Sequence, residues 1–249
     1  MYHRDYLMRL IGQMTQMLGR MAGLRKEQKH EQAEAIMEEW LGRSLGMSLK
    51  LIRALSYQDL IRLLTSGNGT DTDKLLIVAR VLREDGELTE SRYGRDAAYP
   101  LYVKSLMLLL AARRLGITHC DYMDLAEETD GLLGRLDSYS LEEDCLQAIC
   151  LYYEQTGRYS RAEDRLFEWL ENAAMDQAKA IRFGKAMYER LLELPDDALQ
   201  QGDLPREEVL EAVRELQAIE EQRQGENVVS VAPASCSQSD RHSGANDHD

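Results

Sequence analysis

The sequence predicts an all-α protein built from antiparallel helical hairpins stacked as an irregular array. Three observations predict it. Nearly every segment spaces its apolar residues by three and four, the period of a one-sided helix. Only four prolines occur in 249 residues, so long stretches lack a helix breaker. One helix face is also written three times, on Ala33, Ala98 and Ala162, spaced 65 and 64 residues apart. Four residues later come Met37, Tyr102 and Leu166, and seven later Trp40, Ser105 and Trp169. A small residue followed by large ones at four and seven lets a neighbouring helix approach while the large side chains fill the groove beside it. Trp40 and Trp169, the only tryptophans, should therefore both be buried. No stretch shows the alternation of a strand.

The opening segment RDYLMRLIGQMTQMLGRMAGL places Leu7, Leu10, Met14, Met17, Met21 and Leu24 on one stripe, widened by Ile11 and Leu18. It reads as a helix with one strongly apolar face. We expect that stripe to pack on its own chain, against a helix at 28–43 and a segment at 56–66, rather than to form a dimer seam. Ser56 with Asp59 has the spacing of a capping box and starts the 56–66 helix. SGNGTD, residues 66–71, is a turn. Further helices are expected at 73–92, 95–115, 120–136, 141–156, 159–173, 175–194 and 205–223. Thr118 with Asp121 and Ser140 with Glu143 mark two of the starts, and Pro205 suits the first turn of the last. The domain layout follows: an N-terminal helical layer over 1–66, a helical array over 73–224 continuous with it, and a tail over 225–249. That tail is rich in Ser, Asp, Asn and Gly and is expected to be flexible.

Composition narrows the function. Hydrophobic residues make up 44% and charged residues 30%, the balance of a chain with a real core. The net charge of −14 argues against nucleic acid or an anionic membrane as a general partner. Residues 1–30 nevertheless carry six Lys/Arg against two acids, which leaves −18 on the remainder. A basic first helix would thus meet an acidic body favourably. No secretory signal fits the N-terminus, and the most apolar stretch, Ala97–Ala112, contains Pro100 and Lys104 and is too short to span a bilayer. The expected location is cytoplasmic. Cys120, Cys145, Cys150 and Cys236 show no paired metal or disulfide spacing, so they read as thiols in a reducing compartment.

Residues 146–170, LQAICLYYEQTGRYSRAEDRLFEWL, carry Leu146, Ile149, Tyr153, Gly157, Tyr159, Ala162 and Leu166. At those offsets the segment resembles a tetratricopeptide (TPR) unit. Trp169 stands where that family has a small residue, and no proline closes the unit. A weaker copy over 79–112 keeps Leu82, Gly86, Ala98 and Tyr102, with Tyr93 at the turn position and Gly94 after it. The opening RDYLMRLIGQ, with KHEQAEAIMEEWLG and SYQDLIRLL, is also similar to an uncharacterised bacterial family of TPR-like proteins over roughly residues 1–220. The TPR resemblance implies a partner peptide along the concave faces of the first helices. Those positions match Asp144, Gln147, Leu151, Glu154 and Gln155 in one unit, and Arg80, Arg83, Glu87 and Glu90 in the other. The lysines and asparagines with which chaperone-binding members clamp a carboxylate are missing from the first set, which leaves an acidic groove suited to a basic or amphipathic segment.

Catalytic constellations fare poorly. Glu27 and His30 have the spacing used in helical di-iron proteins, but such a site needs two of these motifs and further inward glutamates. His119, Cys120 and Asp121 are adjacent at a helix start, where side chains diverge. His242, His248, Asp240, Asp247 and Asp249 of the tail could loosely hold a metal, and a flexible tail is the expected reading. No phosphate loop, nucleophile elbow or zinc pattern occurs. We therefore expect no catalytic residue, no cofactor and no metal. The expected function is a non-enzymatic protein or peptide interaction module or scaffold, monomeric or homodimeric. The alternative is a small-ligand sensor or an unrecognised enzyme with a pocket between helices.

Overall fold

Leu75, Leu76, Ile77, Val78, Ala79, Val81 and Leu82 are each at most 1% exposed. A helix apolar all round must be surrounded by others, and this one organises the first half of the molecule. The structure, a computed structural model, describes residues 2–66 and 72–230. Its described residues form twelve α-helices and no strand. They are α1 (Tyr2–Lys26), α2 (His30–Leu45), α3 (Leu49–Ala54), α4 (Tyr57–Thr65), α5 (Thr72–Tyr93), α6 (Arg95–Arg114), α7 (Leu125–Leu136), α8 (Glu143–Gln155), α9 (Tyr159–Glu171), α10 (Gln177–Leu192), α11 (Asp196–Gln201) and α12 (Arg206–Ser230). The protein is thus all-α, as its periodicity predicts.

The chain divides into two compact units, Met1–Trp169 and Leu170–Asp249. In the first, α5 and α6 are the most intimate pair. They are joined by the single residue Gly94, whose φ of 91° suits a residue without a side chain. Gly86 and Tyr102, equally far from that turn, touch each other, and the Ser105 hydroxyl donates to the Ala79 carbonyl at 2.7 Å. The two helices are therefore an antiparallel hairpin. Its small residues Ala79, Gly86, Ala98 and Ser105 permit the close approach. Leu146, Ile149 and Tyr153 of α8 and Ala162 and Leu166 of α9, the residues that carry the second hairpin's expected contact, are all buried.

Around α5, α1 packs on α2 and α5, α2 on α5, and α4 on α5 and α6, while α6 also carries α7 and α8. Leu10, Ile11, Met14, Met17 and Met21 of α1 are buried, so its apolar stripe is used within the chain. Its principal second neighbour is α5 rather than the 56–66 segment that the sequence suggests. Both tryptophans are buried, Trp169 completely.

Side-chain caps set four of the helix starts, at Ser48, Ser56, Asp124 and Asp176. Ser56 Oγ accepts from the Asp59 amide at 3.0 Å, as its capping-box spacing requires. Asp124, not Thr118, starts α7: its carboxylate accepts from the Ala126 and Glu127 amides at 2.9 and 3.0 Å. Likewise α8 begins after Glu142, without a side-chain cap, instead of at Ser140. α3 and α11, six residues each, are too short to show a period in sequence. The second unit packs α10 and α11 on α12 through Ile181, Met187, Tyr188, Leu191, Leu199, Leu204, Val209 and Leu216. Arg206 closes the end of α10 by donating to the Leu192 and Leu194 carbonyls at 2.9 and 2.5 Å. α12 continues through Ser230, past the 223 expected. The turn residues 67–71, and the tail from 231 with its histidines, aspartates and Cys236, lie outside the described residues.

Candidate interaction groove

Six of the seven candidate site residues fall in two places, and Glu154 in neither. Arg80, Arg83 and Glu87, with Glu90, belong to a layer of ion pairs that ties α5 to α1 and α7. Arg25 of α1 reaches Glu84 at 2.8 Å and Glu87 at 2.6 Å. Arg83 reaches Glu128 of α7 at 2.6 Å, and Arg80 reaches the same residue at 3.4 Å. From α7, Arg135 meets Glu90 at 2.7 Å and Glu87 at 3.3 Å, while the Tyr102 hydroxyl donates to Glu90 at 2.5 Å. Gly131 of α7 lies against the Arg83 guanidinium, where a Cβ would stand 3.2 Å from it.

This layer titrates unevenly. Burial pushes the Glu84 carboxyl up despite Arg25. Burial pushes Glu87 the same way, but Arg25, Arg135 and Arg83 outweigh it and hold Glu87 below its ordinary value. Asp85, with a fully buried side chain, is also pushed up by burial although Arg53 binds it through two nitrogens at 2.8 and 2.5 Å. Each charge in this layer is matched within the fold. Arg80, Arg83 and Glu87, each half-buried, spend their charges on contacts that hold helices together.

Asp144, Gln147 and Leu151 of α8, with Gln155, line a cavity of about 450 Å³ between α4, α6 and α8. Glu154 is half-buried and does not line it. Ile61, Met107, Leu110, Ala111, Ala148 and Leu151 supply the apolar floor. Gln58, Arg62, Arg113, Arg114, Asp144 and Gln155 form the polar rim. Met107, Leu110 and Ala111 are buried while Gln58, Arg62, Arg114, Asp144 and Gln155 are exposed, so the cavity is a trough open on one side.

Its walls are held rigidly. The Tyr152 hydroxyl donates to Asp130 at 3.0 Å, and Arg158 lies 4.8 Å from the centres of the Tyr152 and Tyr153 rings while bonding Asp130. Arg113 covers Tyr152 at 5.4 Å and donates to the Gln155 side chain at 3.2 Å. The Tyr57 hydroxyl donates to Asp144 at 3.4 Å. Burial, with Cys145 and Asp144 nearby, pushes the Tyr57 hydroxyl up, so it stays a donor at neutral pH. Beneath it the Cys145 thiol is pushed up to about 12 by burial, with Glu142 and Asp144 adding to the effect. Cys150 is pushed up likewise, by burial. These thiols are neutral at physiological pH and unsuited to nucleophilic attack.

The sequence reading missed the opposite wall. Asp144 and Glu154 of α8 suggest an acidic groove, whereas α4 and α6 bring Arg62, Arg113 and Arg114 to face it. The RR pair at the end of α6 was the available signal, yet it reads equally as a helix terminus complementing its dipole. Elsewhere, His119 meets Asp121 at 3.2 Å on an exposed loop, and Glu27 pairs with Lys29 at 2.6 Å. Among the described residues, no three His, Cys, Asp or Glu are placed to hold a metal ion. Nor is any helix among them long and apolar enough to cross a membrane.

Fold and cavity together define an all-helical protein with a lined inter-helix trough. The chain belongs to a family of unknown function (DUF6483), whose model matches residues 1–221. That match covers the whole first unit and ends within α12. No curated protein and no solved structure matches the chain.

Proposed function

We propose that this protein is a non-enzymatic interaction module that seats a segment of a partner protein in the α4/α6/α8 trough. The observation that carries the reading is the pairing of an apolar floor, Ile61, Leu110 and Leu151, with a polar rim on rigid helices. An amphipathic segment presents the matching pattern, apolar on one side and polar at its edges. The walls are fixed by Tyr152, Arg158 and Asp130, so little ordering cost falls on the protein when it binds. The TPR resemblance of residues 146–170 supports the same face of α8 as the binding face. A cytoplasmic location agrees with the free thiols of Cys120, Cys145 and Cys150.

One observation favours a second reading, a small-ligand sensor or enzyme. About 450 Å³ lies within the range of small-molecule pockets, roughly 300–1,000 Å³. Placing a photo-crosslinking residue at Gln58, an exposed rim position, separates the two. Under the first reading, irradiation with amphipathic peptides yields covalent adducts that Leu151→Arg abolishes. If no peptide crosslinks, and a small metabolite raises the melting temperature in a Leu151-dependent way, the sensor reading replaces it.

A further inference from the structure

We propose that the trough selects an acidic amphipathic segment, although the protein as a whole carries a charge of −14. This inference rests on the interaction reading above and adds the chemistry of the partner. Three guanidinium groups, Arg62, Arg113 and Arg114, stand on a rim with one carboxylate, Asp144. The state of each group sharpens the count. Arg113 is held by a neutral partner, the Gln155 side chain, and by the Tyr152 ring, so no acid neutralises it. Arg114 has no hydrogen-bond or ion-pair partner among the described residues and is exposed. Arg62 has only a long contact, 3.3 Å to Asp59, and Asp59 is also bonded by the Ser56 hydroxyl at 2.7 Å. Asp144 accepts a long contact of 3.4 Å from the neutral Tyr57 hydroxyl and keeps its charge, so the rim sets three positive groups against one negative.

Helix-dipole complementation accounts for part of this arrangement and not all of it. Arg113 and Arg114 lie in the last turn of α6, whose C-terminus carries about half a negative charge. Two guanidinium groups exceed that several-fold and leave a positive rim. The acidic remainder of the protein does not cancel it at contact, because fields are screened beyond roughly 8 Å at physiological salt. A carboxylate seated on the rim meets forked donors suited to bidentate pairing. A lysine there meets only cations and Asp144. The occupant that fits is therefore a helical segment of another protein, with aliphatic residues for the floor and Asp or Glu along its edges.

The test uses the full chain and three fluorescent peptides, each about four helical turns long and sharing one aliphatic stripe. Their edge residues are glutamate, glutamine or lysine. Fluorescence polarisation is expected to show the glutamate peptide binding about tenfold tighter than the glutamine one, the ratio one charge-assisted pair supplies. The lysine peptide should bind weakest. The double substitution Arg113→Glu with Arg114→Glu should invert the order. Should that pair disturb the fold by circular dichroism, Arg114→Gln alone, at an exposed position, should still narrow the glutamate preference. Equal binding of the glutamate and glutamine peptides, unmoved by the arginine changes, overturns the acidic preference while the trough reading survives. Tightest binding of the lysine peptide overturns it too. Failure of all three to bind removes the trough reading itself. A wild-type dimer that the arginine changes dissociate in sedimentation makes the occupant a second copy, and the inference falls.

Discussion

Replacing Gly86 with alanine tests how closely α5 and α6 are packed. On an open helix face the change would stabilise by about 1 kcal/mol, because glycine is a poor helix former. Here a Cβ would stand 2.5 Å from Tyr102 Cε1 and 2.8 Å from its Cδ1. Tyr102 cannot easily swing aside. It is 1% exposed, its hydroxyl is held by Glu90 at 2.5 Å, and the Arg135 guanidinium lies 5.1 Å from the ring centre. Overpacking of this kind costs about 1–3 kcal/mol, and loss of the Tyr102–Glu90 bond adds about 1 kcal/mol. Net destabilisation of about 1–3 kcal/mol follows once the propensity gain is subtracted. Urea denaturation followed by tryptophan fluorescence reads this directly, because Trp40 and Trp169 both lie in the first unit. Gly134→Ala on α7 is the internal control. Nothing lies within 4 Å of its Cβ position, so it should stabilise by about 0.5–1 kcal/mol. Adding Tyr102→Leu to Gly86→Ala should cost less than the two single changes combined, since the clash partner is gone. A Gly86→Ala protein as stable as the wild type would refute the close approach, and with it the hairpin's register.

Three further outcomes are expected. Arg53→Ala leaves the buried Asp85 carboxylate without its fork and should destabilise by about 3 kcal/mol near neutral pH. Because burial already raises the folded value for Asp85, stability linked to its proton is present below its unfolded value and lost as pH rises through the folded one. The Arg53→Ala penalty should therefore shrink on acidification, and a penalty equal at about pH 5 and about pH 8 would contradict that sign. Trp169→Ala removes the largest fully buried side chain and should cost about 3–5 kcal/mol by the same urea assay, a loss under 1 kcal/mol being incompatible with its burial. Placing aspartates at Met14 and Met17, both buried in the α1 stripe, should unfold the N-terminal third at every protein concentration in circular dichroism. A folded variant that merely shifts from dimer to monomer in light scattering would make α1 an oligomer seam.

By itself the sequence determined the all-helical class and most helix positions. Apolar period, prolines and caps are local properties, and local hydrogen bonding acts on them directly. Ser56 with Asp59 and the stripe from Leu10 to Met21 could both be read in this way, whereas the turn placed at Tyr93 falls on Gly94 alone. Two six-residue helices could not, because six residues complete too few turns to display a period. On α8, the 3–4 spacing of Asp144, Gln147 and Leu151 already puts them on one face. Only the tertiary structure decided what that face meets. Arg62, Arg113 and Arg114 arrive from helices remote in sequence, and their side chains reverse the sign of charge that α8 alone suggests. The same holds for Arg80, Arg83 and Glu87. At helical spacing they resemble a solvated face, and they became a half-buried ion-pair lattice because Arg25 of α1 with Glu128 and Arg135 of α7 pairs with them. Whether a charged side chain faces water or a partner depends on long-range packing, which no local pattern encodes.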